Sequence, residues 1–433
     1  MLPRGARHGP LGASSTRRDG RAVTGMSVDP YREIVLDKDG DGPAGQAAEL
    51  VALARRGVTD LVVFAHGWNN SPSGATRLCS DFFAPFPELL APGVEAGYAG
   101  VVWPSMTFTD EPVPDFRALV TTFPERERTI VRLTELLALA PPEESAFTEF
   151  GALLRELAGV DTEGAAAAGA AAAGSVSAGS VPDFLVADAV ETCALFAGAL
   201  EEAAPGAVLD GGAGRLWKGG REALRQAAYY VMKRRAGQVG ERGLGPLLAE
   251  VARAAPGLRV HLVGHSMGAR LVAYALRGLP GALRPVRSMT LLQGAFSHYA
   301  FAARLPHDPG RSGALRDMQL RVRGPVVACH SEHDAALGVL YPLASRAARD
   351  SASLTGPLGR LAARDPRWGA IGWDGVQGVP GSARRTLAAA LRDGVPASGC
   401  VSVDAAEAVR SHGDVRRPEL ARVVVSAARI GRR

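Results

Sequence analysis

Residues 261–270 read HLVGHSMGAR, and Gly264-His265-Ser266-Met267-Gly268 within them fits G-x-S-x-G. That spacing is what a nucleophilic serine needs on a sharp strand-to-helix turn. The turn forces Ser266 into a strained backbone conformation with its Oγ exposed. Residues two before and two after must lack bulk, because strand and helix pass close together there. The helix N-terminus beneath the serine favours developing negative charge. The chemistry served is acyl transfer. Glycine-rich chains also meet this pattern by chance, so an ordinary Gly-Ser turn is the alternative. The flanks favour the nucleophile: an apolar strand-like run, 259–263, precedes the motif and a helical stretch, 269–277, follows it.

A second stretch, Phe64-Ala65-His66-Gly67-Trp68-Asn69-Asn70-Ser71, closes the apolar run 61–65 and leads into helical sequence. Acyl transfer requires donors for an oxyanion. One is the amide of the residue after the nucleophile, here Met267; the other comes from the loop at the carboxyl end of a neighbouring strand. His66-Gly67-Trp68 is placed to supply it through the Trp68 amide. Gly67 lets the backbone turn its N–H into the site, and His66 braces the loop. A plain Gly-Asn turn is the alternative here.

Both stretches need a sheet to hold them. Short β-branched runs alternate with helical stretches, the pattern of a mostly parallel sheet flanked by helices. Strands are expected at 31–36, 61–65, 100–104, 259–263, 288–292, 324–329 and 400–403, with a closing helix over 418–430. Between 105 and 257 the alternation stops. Amphipathic helical spacing appears at 184–203 and 221–236, with proline breaks and an Ala/Gly-rich tract at 164–182. The expected fold class is therefore α/β: a doubly wound, mostly parallel sheet built from 26–104 and 258–433, interrupted by a helical cap insertion at 105–257. An independent domain followed by a linker is the alternative for that block. Strands on both sides are needed to finish one sheet, which favours the insertion.

The 433 residues are 47% hydrophobic, which excludes disorder over the whole chain. The net charge of +5 suggests an anionic partner. However, Arg4, Arg7, Arg17, Arg18 and Arg21 against Asp19 place +4 of it in residues 1–25, and the remainder is close to neutral. That basic leader lacks interleaved aromatics, so no nucleic-acid partner is expected. It reads as disordered and has no apolar core of a secretory signal, and Met26 is a candidate start. Cys79, Cys193, Cys329 and Cys400 show no CxxC spacing. They form neither a disulfide framework nor a zinc ribbon and suit a reducing, cytoplasmic compartment. No membrane span is expected, since the longest uncharged run, 164–182, is Ala, Gly and Ser and reads as a flexible linker.

At these motifs the chain resembles the α/β-hydrolase superfamily, most of all a bacterial branch with HGW after the third core strand and GHSMG at the elbow. Residues 229–240, YYVMKRRAGQVG, are similar to that branch's segment before the elbow. The resemblance covers roughly 30–110 and 215–430, leaving out the Arg-rich start and the Ala/Gly tract. It implies the chain order serine, acid, histidine. It points to Asp334 for the acid, in Cys329-His330-Ser331-Glu332-His333-Asp334, with Glu332 the local competitor and Asp374 and Asp404 more distant ones. The one histidine beyond that loop is His412, after the last expected strand, where such a hydrolase carries its base. His261, His265, His298 and His307 are weaker candidates. His330 and His333 beside two carboxylates raise the question of zinc, but no third histidine stands at helical spacing, so neither metal nor cofactor is expected.

The expected function is hydrolysis of a carboxylic ester through an acyl-enzyme. Ser266 attacks, His412 moves the proton, Asp334 orients His412, and the Met267 and Trp68 amides hold the oxyanion. Gly264, His265, Gly268, His66 and Gly67 shape the elbow and loop. The insertion would cap the carboxyl ends of the strands, with Trp68, Trp103 and Met267 as lining. A near-neutral body suits a small uncharged or apolar ester or acyl substrate. Thioesterase, amidase or acyltransferase chemistry uses the same triad, and a non-catalytic binding protein on a hydrolase fold is the more distant alternative.

Overall fold

Every residue of the run Asp60–Ala65 is buried, as expected of a parallel strand covered on both faces. The computed structural model describes residues 16–17, 22–23, 25–105, 119–120, 123–160, 181–203, 211–281, 283–334, 336–340, 367 and 369–431. Eight strands form one sheet: β1 (Tyr31–Val35), β2 (Asp60–Ala65), β3 (Ala96–Val102), β4 (Arg259–His265), β5 (Val286–Leu292), β6 (Pro325–His330), β7 (Ala383–Thr386) and β8 (Gly399–Asp404). Their order is β1-β3-β2-β4-β5-β6-β8-β7, and every pairing is parallel.

The register matters for function. Ala65 lies opposite Gly264, His265 opposite Leu292, Leu292 opposite Cys329, and Cys329 opposite Val403. The loops after β2, β4, β6 and β8 therefore leave the same edge of the sheet at nearly the same level.

Two strands depart from expectation. β7 is an unforeseen edge strand: ARRT has no apolar alternation, and three of its four residues are exposed, as suits a charged sheet edge. β3 begins at Ala96, before the expected 100, because AGYAG is too small and mixed to carry a strand signal although all of it is buried.

Helices cover both faces. They include α1 (Gln46–Arg55), α2 (Pro72–Phe83), α3 (Glu127–Leu139), α4 (Glu144–Ala158), α5 (Ala189–Ala203), α6 (Ala213–Gln238), α7 (Gly245–Ala254), α8 (Met267–Gly278) and α9 (Pro418–Ala428). Leu50, Leu248 and Leu271 from α1, α7 and α8 pack with Leu291 on one face. Phe82 and Phe83 of α2 and Val424 of α9 pack with Phe64 and Val403 on the other.

Among the described residues between 105 and 257 there are helices and no strand. The helix expected over 184–203 is broken. Asp188 Oδ1 accepts from the amides of Val190 and Glu191 at 2.9 Å each and starts α5 afresh. Phe147 stacks on Trp217 at 4.4 Å, joining α4 to α6. At its far end α6 is tied to the sheet: Arg235 donates to the Pro104 carbonyl at 3.2 Å and lies over the Phe123 ring at 5.1 Å.

Most of the leader 1–25 and of the tract 164–182 lies outside the described residues. Within the leader, Thr16–Arg17 and Ala22–Val23 pair antiparallel. The four cysteines are buried free thiols. Among the described residues no helix is long and apolar enough to cross a membrane.

At the opposite edge of the sheet sits a buried polar chain. His261 Nε2 donates to Asp60 Oδ1 at 2.9 Å, and Ser288 Oγ donates to His261 Nδ1 at 2.9 Å. Arg259 and Thr59 donate to the other Asp60 oxygen. Burial alone would raise the Asp60 carboxyl, but the bonds from His261, Arg259 and Thr59 outweigh it and hold it below the usual range. Burial pushes the His261 imidazole down against the pull of Asp60. At both sites the unfolded chain therefore binds protons at higher pH than the folded chain. The stability these groups contribute is present at neutral pH and is lost as pH falls, first below the ordinary histidine value and then through the lowered Asp60 value. Asp60→Asn removes the carboxylate that Arg259 and His261 share and is expected to destabilise by about 3 kcal/mol. Urea unfolding at neutral pH should show that loss. Toward mildly acidic pH the variant should lose stability at least as steeply as wild type, because His261 no longer has the carboxylate that pulls it up, while the Asp60 contribution below the ordinary carboxylate value disappears.

Candidate active site

β4 runs into α8 through Ser266, whose φ of 56° and ψ of −119° form a strained left-handed turn. The surrounding backbone leaves no room for bulk. A Cβ on Gly264 would overlap the Gly268 carbonyl, and one on Gly268 would overlap the carbonyl oxygens of Ala65 and His66. Hydrogen bonds pin the turn from both sides: Ser266 N donates to Leu292 O at 3.0 Å, and Ala295 N donates to Ser266 O at 3.1 Å. Met267 is the first residue of α8, so the helix itself gives its amide no carbonyl acceptor.

The loop after β2 lies directly against this turn. A Cβ on Gly67 would sit 2.9 Å from Ser266 Cβ and 3.0 Å from His265 Nδ1. His66 Nδ1 donates to the Gly67 carbonyl at 2.9 Å, and its ring stacks on Trp103 at 5.8 Å. Burial pushes the His66 imidazole down to about 4. Trp103 Nε1 donates to the His66 carbonyl at 3.0 Å, so Trp103 is a buried brace of the loop and not exposed lining. The Met267 side chain is likewise wholly buried in the core. Trp68 is half-buried against Tyr229 of α6, with ring centroids 5.8 Å apart.

Further members of this loop escaped the sequence reading. Asn69 holds a φ of 63°, a conformation asparagine tolerates better than most residues. Its amide donates to Ser105 O at 3.0 Å. Asn70 Nδ2 donates to the carbonyls of Gly67 at 3.2 Å and Trp68 at 3.1 Å. Ser71 then caps α2 by accepting from the Gly74 amide, with Pro72 opening the helix. The signal available was the Asn-Asn pair between a strand and a Ser-Pro helix start. Gly67→Ala should displace the loop from the turn and slow any reaction at Ser266 on the order of 10²-fold. Single-turnover acylation rates, with circular dichroism to show an intact fold, check it.

The loops after β6 and β8 complete the arrangement. His412 Nδ1 donates to Asp334 Oδ2 at 2.7 Å, and Ser266 Oγ donates to His412 Nε2 at 2.7 Å. Asp334 is fully buried, while the His412 side chain is 29% exposed. Asp334 Oδ1 accepts from the Leu337 amide at 3.1 Å, which fixes the carboxylate. Ser331 Oγ donates to Val409 O at 2.7 Å and joins the two loops. Asp414 Oδ2 accepts from the amides of Arg410 at 2.8 Å and Ser411 at 3.0 Å, folding the His412 loop. Desolvation opposes it, but those amides and the Arg417 guanidinium hold the Asp414 carboxyl below the usual range.

The rival residues stand elsewhere. Glu332 is exposed, Asp404 is exposed and accepts from the Ala406 amide, and Asp374 binds His298 Nδ1 through both oxygens at 2.8 and 2.7 Å. His333 is exposed and accepts from Arg410, while burial pushes the His330 imidazole down. Among the described residues no group of three or more His, Cys, Asp and Glu side chains could hold a metal ion.

Chemically, a carboxylate that takes the Nδ1 proton leaves Nε2 free to accept from a serine hydroxyl, and that serine stands at a helix N-terminus. Comparison of the chain with protein-family models, with curated proteins and with solved structures found no match.

Proposed function

We propose that the protein is a serine hydrolase of the α/β-hydrolase type that cleaves a carboxylic ester. The observation that carries this reading is the relay Asp334–His412–Ser266, 2.7 Å at each contact, ending on a strained serine at the start of α8. As Ser266 Oγ forms its bond to the acyl carbon, the hydroxyl proton passes to His412 Nε2. Asp334 stabilises the imidazolium that results. The carbonyl electrons move onto oxygen, where the amides of Met267 and Trp68 would receive the charge. Collapse returns the proton to the leaving alcohol, and water attacks the acyl-enzyme by the same route.

In this reading the helices α3 to α6 cap the carboxyl edge of the sheet, and Trp68 against Tyr229 marks where cap and oxyanion loop meet. The near-neutral charge beyond residue 25 favours an uncharged acyl substrate. Turnover of p-nitrophenyl esters of increasing acyl length tests the reading. Saturable hydrolysis, lost in Ser266→Ala, is expected with at least one chain length. Background rates across the whole series would contradict it.

A further inference from the structure

The His265 imidazole lies where three parts of the site meet. It belongs to the turn, one residue before Ser266. Its Nε2 is 2.8 Å from the main-chain carbonyl oxygen of His412. A carbonyl only accepts, so the ring proton sits on Nε2 and Nδ1 is a bare acceptor. Nδ1 is buried without a hydrogen-bond partner and borders the oxyanion loop, 3.0 Å from where a Cβ on Gly67 would stand. The rings of His265 and His412 are 5.1 Å apart and tilted by 40°. Burial, reinforced by the neighbouring His412, pushes the His265 imidazole down to about 3. It therefore stays neutral through mildly acidic pH.

His412 needs such support because it lies in a loop between β8 and α9, outside any strand or helix. The Asp334 carboxylate orients its ring. Asp414 binds the amides of residues 410 and 411, and Ser331 binds the carbonyl of residue 409. Among the described residues, the hydrogen bond to the main chain of His412 itself comes from His265.

Building on the serine-hydrolase reading, we propose that His265 is a positioning residue: its Nε2–H fixes the His412 backbone to the turn that carries Ser266, so nucleophile and base move as one unit. The proton transfer from Ser266 Oγ to His412 Nε2 then occurs between atoms whose separation is set by one rigid turn. Without that bond the base depends on its loop, and displacements near 1 Å slow such a step about 10²-fold.

Three measurements test this. The first compares labelling of Ser266 by a fluorophosphonate in wild type, His265→Met and His265→Gln. Met fills similar space without a donor, whereas the Gln amide can again donate to the His412 carbonyl. His265→Met is expected to label about 10²-fold more slowly, and His265→Gln to recover to within about tenfold of wild type. The second takes kcat and KM for a p-nitrophenyl ester: the Met variant should lose kcat with KM unchanged to within about twofold. Labelling of His265→Met at the wild-type rate would overturn the proposal, as would equal losses in the Met and Gln variants that track equal losses in thermal stability. If labelling of wild type and Ser266→Ala is indistinguishable, the hydrolase reading itself fails and the proposal goes with it. The third needs no variant, should His265→Met not fold. Imidazole nitrogen chemical shifts of the wild-type protein must place the His265 proton on Nε2 through mildly acidic pH. A proton on Nδ1 contradicts the proposal.

Discussion

His412→Ala is expected to lower kcat for ester hydrolysis by about 10⁵- to 10⁶-fold, the loss that follows when a serine nucleophile is left without its base. The magnitude follows from what the imidazole does. Its Nε2 stands 2.7 Å from Ser266 Oγ and is the acceptor for the hydroxyl proton. Without it a neutral serine must attack, and the leaving group departs without a proton donor. The loop should keep its fold, while the fully buried Asp334 carboxylate loses its partner on Oδ2 and the variant gives up some stability. The side chain is 29% exposed, and its loop is held by Asp414 and Ser331 through the main chain of its neighbours. A variant still fully folded at the assay temperature beside this kinetic loss would separate catalysis from folding. The Met267 and Trp68 amides proposed to hold the oxyanion are untouched, so residual activity above the uncatalysed rate is also expected.

Asp334→Asn should reduce kcat by about 10⁴-fold through a change of tautomer. The wild-type carboxylate has two occupied oxygens: Oδ1 accepts from the Leu337 amide and Oδ2 from His412 Nδ1. An asparagine keeps its oxygen toward the Leu337 amide and turns its NH₂ toward His412. Nδ1 must then accept, which places the ring proton on Nε2, facing Ser266. A protonated Nε2 cannot receive the serine hydroxyl. Glu332→Gln is the matched control: that side chain is exposed two residues away, and its replacement should leave the kinetics unchanged. Steady-state kinetics on both variants check the pair. Equal losses in the two would remove Asp334 from its assigned role.

The elbow was legible in the sequence because its constraints are local. The close passage of β4 and α8 demands Gly264 and Gly268, and the strained φ of Ser266 follows from the same turn. The His66–Trp68 loop was legible as a glycine after a buried run, but its anchors were not. Ser105 lies 35 residues away and reaches Asn69 and Asn70 only because β2 and β3 are neighbours. Nothing local separates Asp334 from Glu332, Asp374 or Asp404. Burial and the reach of His412 separate them, and both arise from pairings between distant strands. β7 was invisible because an exposed ARRT carries no periodic signal, and the break in the helix at Asp188 depends on a cap that competes with helical propensity.

The buried chain Asp60–His261–Ser288 is instructive beside Asp334–His412–Ser266. Both link an acid, an imidazole and a serine by hydrogen bonds below 3 Å. Ser288 lies inside β5, 1% exposed, and not at a strand-to-helix turn. Connectivity alone therefore does not distinguish the two serines. The strained turn, the helix start and the partly exposed base mark Ser266, and these belong to the carboxyl edge of the sheet.

That contrast makes the decisive measurement a competition inside one molecule. Wild-type protein is treated with a fluorophosphonate, and the modified peptide is mapped by mass spectrometry, with Ser266→Ala in parallel. A single adduct on Ser266, absent from the variant and never on Ser288, is the result predicted. Labelling that is equal in wild type and Ser266→Ala, or that maps to any other residue, would contradict the assignment of Ser266 as the nucleophile.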